Sequence, residues 1–248
     1  MLKLLVVTAH PDDEASFGGA LLQARDRGAH TFVVCLTAGQ AATHRGSATS
    51  DEELAALRRR EFERSCEHLR VTESCVLDYP DGRLDRQDLW QVVGELTKTI
   101  RKIRPQVVLT YGPDGSVTAH PDHGMASLFT SAAFQFAARS NRYRDQLFDG
   151  VRPFQPQKLY YMTSDFTLPE RQPVSLPPAT TVVEVGDYVQ RKIEAFRKHT
   201  TQAPLFPLFE EHTYQKGTKE LYHLAALART VKQVEIETDI WQGVEDLP

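Results

Sequence analysis

The chain reads as an α/β protein built on a mostly parallel sheet, with its functional crevice at the carboxyl ends of the strands. Two observations predict this. Short runs of β-branched and aliphatic residues alternate with stretches of helical periodicity through the first half of the chain, the order that builds βαβ units. Two related tetrapeptides, His10-Pro11-Asp12-Asp13 and His120-Pro121-Asp122-His123, each come after an apolar run and open a helical stretch. Loops at the carboxyl ends of strands in such a sheet gather into one crevice.

Residues 2–8 read as a buried first strand, and residues 14–27 as a helix ended by Gly28. Residues 31–37, Thr-Phe-Val-Val-Cys-Leu-Thr, form a second strand, followed by a polar, mobile loop over 38–50. Residues 51–69 are charged and helical, with Leu54, Leu57 and Phe62 among their apolar positions. A third strand over 74–77 leads into the turn Pro80-Asp81-Gly82. Leu89, Val92, Val93, Leu96, Ile100 and Ile103 recur at helical spacing. A fourth strand covers 106–111 and a further helix 121–138. Beyond residue 139 prolines break the chain into short pieces around one strand, 158–162, and one helix, 187–199. Pro204-Leu205-Phe206-Pro207-Leu208-Phe209 reads as a proline-broken loop that covers a core edge or a subunit contact rather than forming a substrate wall. We read one domain over 1–248, with a core α/β unit over 1–140 and an irregular, proline-rich remainder carrying a C-terminal helix and edge elements.

Composition narrows the function. The formal net charge of −4 argues against a nucleic-acid partner, which would need a basic stripe. No apolar run is long enough to span a bilayer, and the N-terminal apolar run ends too soon for a signal peptide. Cys35, Cys66 and Cys75 are odd in number and form no Cys-x-x-Cys pair, which points to a reducing, cytoplasmic setting. No Gly-x-Gly-x-x-Gly follows a strand, so a dinucleotide site is not expected.

The tetrapeptides carry the chemistry. Proline at a first helical position followed by acids is also ordinary helix-start chemistry. Two such corners that both keep histidine ask for more. His10 and Asp13 are three apart across a strand-to-helix corner, and His123 has the same offset in its own segment. Two imidazoles, one carboxylate and an open position suit a catalytic zinc ion, and iron(II) fits the same set. Asp12 and His120 would then flank the metal from opposite segments, as base and imidazole partner of an activated water.

Ala9-His10-Pro11-Asp12-Asp13-Glu14 together with His120-Pro121-Asp122-His123 resembles the LmbE-like, or PIG-L, family of zinc-dependent N-deacetylases. The resemblance runs to about residue 202 and includes Arg58-x-x-Glu61, Pro80-Asp81-Gly82 and His199-Thr200-Thr201-Gln202. It implies a Rossmann-like three-layer sandwich and one zinc ion on His10, Asp13 and His123. It further implies Asp12 as general base and a protonated His120 that stabilises the oxyanion. Asp122 would orient His120 or a ligand imidazole, while Arg58, Asp81 and His199 would reach the substrate or the rim of its site. The implied substrate is a small amino-sugar conjugate of N-acetylglucosamine type, and the implied assembly a homo-oligomer, trimer or hexamer. Three positions depart from the family pattern: Thr37-Ala38-Gly39-Gln40 lacks the usual glutamate, Thr118 stands where mycothiol-type enzymes carry tyrosine, and Arg70 replaces a glycine. Two other readings compete. One is a zinc amidase acting on another acyl group or a peptide amide. The other is a metal-free sugar- or nucleotide-binding module that keeps the corners as helix caps.

Overall fold

In the computed structural model, which describes residues 1–246 apart from 172, 216 and the side chain of residue 169, seven strands form one sheet. The elements in chain order are β1 Lys3–Thr8, α1 Gly18–Asp26, β2 His30–Thr37, α2 Asp51–His68, β3 Glu73–Tyr79, α3 Leu89–Ile103, β4 Val107–Tyr111, α4 Pro121–Ala137 and α5 Asp145–Phe148. Then follow β5 Lys158–Thr163, β6 Thr181–Glu184, α6 Val189–Phe196, α7 Phe206–Gln215 and β7 Lys219–Leu227. The strand order is β3-β2-β1-β4-β5-β7-β6, parallel from β3 through β5 and antiparallel where β7 joins β5 and β6. Strand order reverses between β1 and β4. An open sheet leaves its crevice at such a switch point, and the two tetrapeptides follow these two strands.

Alternation along β1 divides the core. Leu4 and Val6 pack with Phe17, Leu21, Val33 and Phe196 on one face, while Leu5 and Val7 pack with Val93, Ile100, Phe129 and Phe134 on the other. Both faces of a parallel sheet need such cover, which explains the continuous apolar runs. Helix starts follow their caps: the Ser50 hydroxyl accepts from the Glu53 N–H and the Asp88 carboxylate from the Gln91 N–H. Arg70 has φ 57, the left-handed conformation that costs glycine least, which accounts for the family's glycine at that position.

Three expectations change. Residues 14–27 do not form one helix: a 3-10 turn over Asp13–Phe17 precedes α1, because Asp13 and Glu14 turn their carboxylates back onto upstream backbone N–H groups. Residues 204–209 are not a loop but the end of a 3-10 turn and the start of α7. The second half also supplies β6 and β7, which the sequence reading lacks, and β5 lies inside the sheet rather than at its edge.

One buried charge pair fastens α6 and β7 to the start of α1. The Glu220 carboxylate accepts from Gly19 N (2.9 Å), Ala20 N (2.9 Å) and the Tyr222 hydroxyl (2.7 Å), and pairs with Lys192. Removing one member of a buried pair strands the other charge. Lys192→Met therefore lowers stability by about 3 kcal/mol, read as a fall in the urea midpoint.

Candidate active site

The first corner is folded by its own acids. Asp13 Oδ2 accepts from the backbone N–H of Ala9 (3.1 Å) and His10 (2.8 Å), which brings the Asp13 and His10 side chains together. Asp12 sits at φ 108, a strained conformation for a non-glycine residue. Glu14 Oε2 accepts the Asp12 N–H at 2.9 Å and so helps to hold it there. At the second corner His120 is the N-cap of α4. Its Nδ1 accepts from Asp122 N at 3.1 Å, and Pro121 occupies the first turn. Gly115 has φ 81, and a Cβ there would meet His120 O at 2.6 Å, so the approach to this corner requires glycine.

The two corners meet. Ring centroids are 4.6 Å apart for His10 and His120, 5.3 Å for His10 and His123, and 5.2 Å for His120 and His123. Tyr111, the last residue of β4, stacks on His123 at 4.0 Å. Asp13 lies between two imidazoles, with Oδ1 3.1 Å from His123 Nε2 and Oδ2 3.7 Å from His10 Nδ1.

The outer nitrogens decide the tautomers. His123 Nδ1 is 3.2 Å from Gly115 O, an acceptor only, so Nδ1 carries a proton, and Nε2 is the nitrogen left for Asp13 or a cation. His10 Nε2 faces two carboxylates, Asp81 Oδ1 at 3.1 Å and Asp122 Oδ2 at 3.2 Å, so its proton is held there and Nδ1 is left for Asp13. Lone pairs on two imidazoles thus converge on a carboxylate, an arrangement that calls for a cation. Without one, the cluster resolves the conflict with a proton. Burial lowers the His10 pKa, but hydrogen bonds to Asp122 and Asp81 outweigh it and push it up to about 10. Burial would raise the Asp13 carboxyl, yet the charge and hydrogen bond of His123, with His10, hold it well below the usual carboxylate range. A bound metal takes the place of that proton. The donor set therefore fits a zinc-type ion, with the outer hydrogen bonds orienting each ring. Among the described residues, the groups of three whose ligand atoms all lie within 4.8 Å of one another are His10, His120 and His123, and His10, Asp81 and Asp122. Asp13 is in neither and meets the cluster through its contacts with His10 and His123.

His120 and Asp12 stand beside this cluster in useful protonation states. Because His120 Nδ1 accepts an N–H, the ring proton is on Nε2; burial, with His10 and His123 near, pushes its pKa down to about 4. That shift favours the neutral ring over the imidazolium that the resemblance implies. Burial pushes the Asp12 carboxyl up to about 6, with Arg58 opposing and Asp13 reinforcing.

The structure turns Arg58, Asp81 and His199 away from the cavity, whose lining includes none of them. Arg58, 3% exposed, donates to Asp12 Oδ2 (2.6 Å), Pro11 O and Gly39 O (3.1 Å). Gly39 must be glycine here, since a Cβ would fall 2.1 Å from Arg58 Nη1. Asp81 pairs with His10 and accepts from Ala41 N, while Asp122 pairs with His10 and accepts from Gly82 N and Leu84 N. Asp122 therefore faces the His10 imidazole, and its contact with His120 is through the backbone. His199 is fully buried, its Nε2 2.6 Å from Glu14 Oε1. Glu61, one turn from Arg58, accepts from the Thr200 hydroxyl and from the Thr201 hydroxyl and N–H. Arg58 on α2 and His199 through Glu14 so brace Asp12 from two sides, while Glu61 fastens the segment that follows His199. The loop over 38–50, expected to be mobile, is fastened by Ala41 N to Asp81, Arg45 to Asp51, and Gln202 to His44 O. Glu14 and Tyr111 are among the members of the site that sequence reasoning missed; for Glu14, a third acid after His-Pro, more than a cap needs, was the available signal.

The cavity above the cluster has a volume of about 310 Å³. His10, Asp12, Asp13, His120 and His123 line its floor, with Ser16, Ser116 and Thr118 beside them. Leu205, Leu208 and Phe209 also line it, so the apolar run at 204–209 faces the cavity rather than serving only as a core edge.

A family model described as PIG-L, GlcNAc-PI de-N-acetylase, matches residues 5–134 and so takes in both corners. The chain belongs to the PIG-L family. Within that family it is similar to the mycothiol S-conjugate amidase of Streptomyces coelicolor, 30% identical over 84% of this chain and 78% of that protein. It is also similar to the diacetylchitobiose deacetylase of Thermococcus kodakarensis, 32% identical over 82% of this chain and 70% of that one. Among solved structures, N,N'-diacetylchitobiose deacetylase from Pyrococcus horikoshii in complex with an inhibitor superposes with a TM-score of 0.77 at 25% identity, covering 90% of this chain and 83% of the other. PIG-L membership makes the chain a metal-dependent hydrolase of the N-deacetylase class.

Proposed function

We propose that the protein hydrolyses the acetamide of an N-acetylglucosamine-type conjugate, with one zinc ion held by His10, Asp13 and His123 and with Asp12 as general base. The observation that carries this reading is the convergence of the inner nitrogens of His10 and His123 on the Asp13 carboxylate, with Asp12 and His120 arriving from opposite corners. A metal-free binding module would need the corners only as helix caps and leaves this convergence without purpose.

The ion supplies the Lewis acidity that makes water a nucleophile near neutral pH and polarises the scissile carbonyl. Asp12, braced by Arg58 and Glu14, takes a proton from the attacking water as its oxygen bonds to the carbonyl carbon. The His120 Nε2–H donates a hydrogen bond to the oxyanion that develops. As the C–N bond breaks, Asp12 returns the proton to the departing nitrogen, leaving acetate and a free amine. A neutral N–H suits this donor role, because it needs no proton transfer to act. Three free cysteines support a reducing compartment. Exposed Leu89, Trp90 and Leu128, on α3 and α4, support a homo-oligomer through that face.

Amine release from N-acetylglucosamine conjugates tests the reading. Stripping the metal with a chelator abolishes release, and one equivalent of zinc restores it; restoration by iron(II) alone would reassign the ion. Stoichiometric zinc with no release from any acetamide would overturn the deacetylase.

A further inference from the structure

The upper wall of the cavity is out of proportion to an acetyl group. Met162, Leu168, Phe196, Leu205, Leu208 and Phe209, drawn from three separated segments, form it. The wall is preorganised: the Phe196 and Phe209 rings stack at 4.0 Å and 2°, and Phe206 packs edge-on against Phe196 at 5.9 Å. It is also continuous with the surface. Leu168 and Leu208 line a second cavity of about 550 Å³ as well, otherwise walled by Phe166 and by polar residues such as Asp165, Glu170, Glu211 and Gln215, and Leu208 is 45% exposed. Glu170, Arg171 and His212 line the same cavity and offer the polar partners that sugar hydroxyls need, whereas these six side chains offer none beyond the weak acceptor of a thioether. Carbon surface that is held rigid and continuous with a reactive cluster marks where the apolar part of a ligand lies.

We propose that this wall is a subsite for an alkyl or aryl group on the amine side of the substrate, so that the preferred substrate is an N-acetylated amino sugar with an apolar aglycone. The inference rests on the deacetylase reading above. The acyl product is a two-carbon acid that fills no such wall. A substrate lodged by its acetamide must send its larger fragment outward, along the trough that Leu168 and Leu208 continue.

The test compares the zinc-loaded full chain on the methyl and hexyl β-glycosides of N-acetylglucosamine, and on methyl N-hexanoylglucosaminide. The hexyl glycoside should exceed the methyl in kcat/KM by roughly tenfold or more, mostly through KM, as burying several methylenes predicts. Leu208→Glu, placed where exposure tolerates a charge, should bring the hexyl-to-methyl ratio toward one, with thermal melting confirming that the variant folds. Equal kcat/KM for the two glycosides would overturn the subsite alone, and a preference for the hexanoyl amide would place the wall on the acyl side. An oligomer that Leu208→Glu dissolves, with the hexyl-to-methyl ratio unchanged, would make the wall a contact between copies. No release from any glycoside would overturn the deacetylase reading, and the subsite with it.

Discussion

Asp12→Asn lowers kcat by roughly 10²–10⁴-fold, the contribution of a positioned general base, while bound zinc stays stoichiometric. The separation of effects follows from where the two acids point. Asp13 is the carboxylate between His10 and His123, so the ligand set is untouched. The Asp12 carboxylate is held at 2.6 Å by Arg58 beside that set and lines the same cavity. Asparagine keeps the shape, can still accept from Arg58, and tolerates a positive φ at least as well as aspartate. What it cannot do is accept a proton from water. The checks are metal content by elemental analysis, KM, and kcat. Full activity in this variant would move the base role away from Asp12; loss of metal along with activity would mean that the corner, rather than the proton transfer, had been broken.

The parts of this protein legible in its sequence are those that two opposite faces of a sheet demand. β1, β2 and β4 are apolar throughout because helices cover both sides, and their runs stand out. β6 and β7 do not stand out. β6 is a four-residue edge strand, and β7 opens with two adjacent charged residues, Lys219 and a buried Glu220 whose Lys192 partner lies on another element. The meeting of His10, Asp13 and His123 was legible for a related reason: a histidine and an acid three apart at a strand-to-helix corner have few ways to point. Arg58, Asp81 and His199 were harder. A charged residue near a cleft reads as a substrate contact, but Arg58 and His199 are buried because Asp12 and Glu14 wait for them at sequence separations of 46 and 185. Only tertiary structure reveals such a partner. The helical turn at 204–209 was hidden by its prolines: Pro207 sits in the first turn of α7, where proline is tolerated, and Pro204 lies inside the 3-10 turn before it.

Arg58→Met lowers kcat roughly 10–100-fold, the range for losing a residue that orients a reacting group from behind, with KM and zinc content little changed. Methionine keeps most of the apolar stem but none of the donors, so Asp12, Pro11 O and Gly39 O lose their shared partner. The pH profile separates this from a general loss of fold. Burial raises the Asp12 carboxyl toward 6, and Arg58 is the largest influence opposing it. Without the guanidinium the carboxyl rises further. Asp12 acts as base only when ionised, so the acid limb of kcat/KM moves to higher pH. Arg58→Lys should move the limb back toward the wild type, because a cation is restored, yet recover less of kcat, because one ammonium cannot reach three acceptors as a planar fork does. A lower kcat with an unmoved acid limb in Arg58→Met would show that Arg58 braces the corner mechanically and does not tune its base. Recovery of kcat in full by lysine would show the reverse, that charge alone matters at this position.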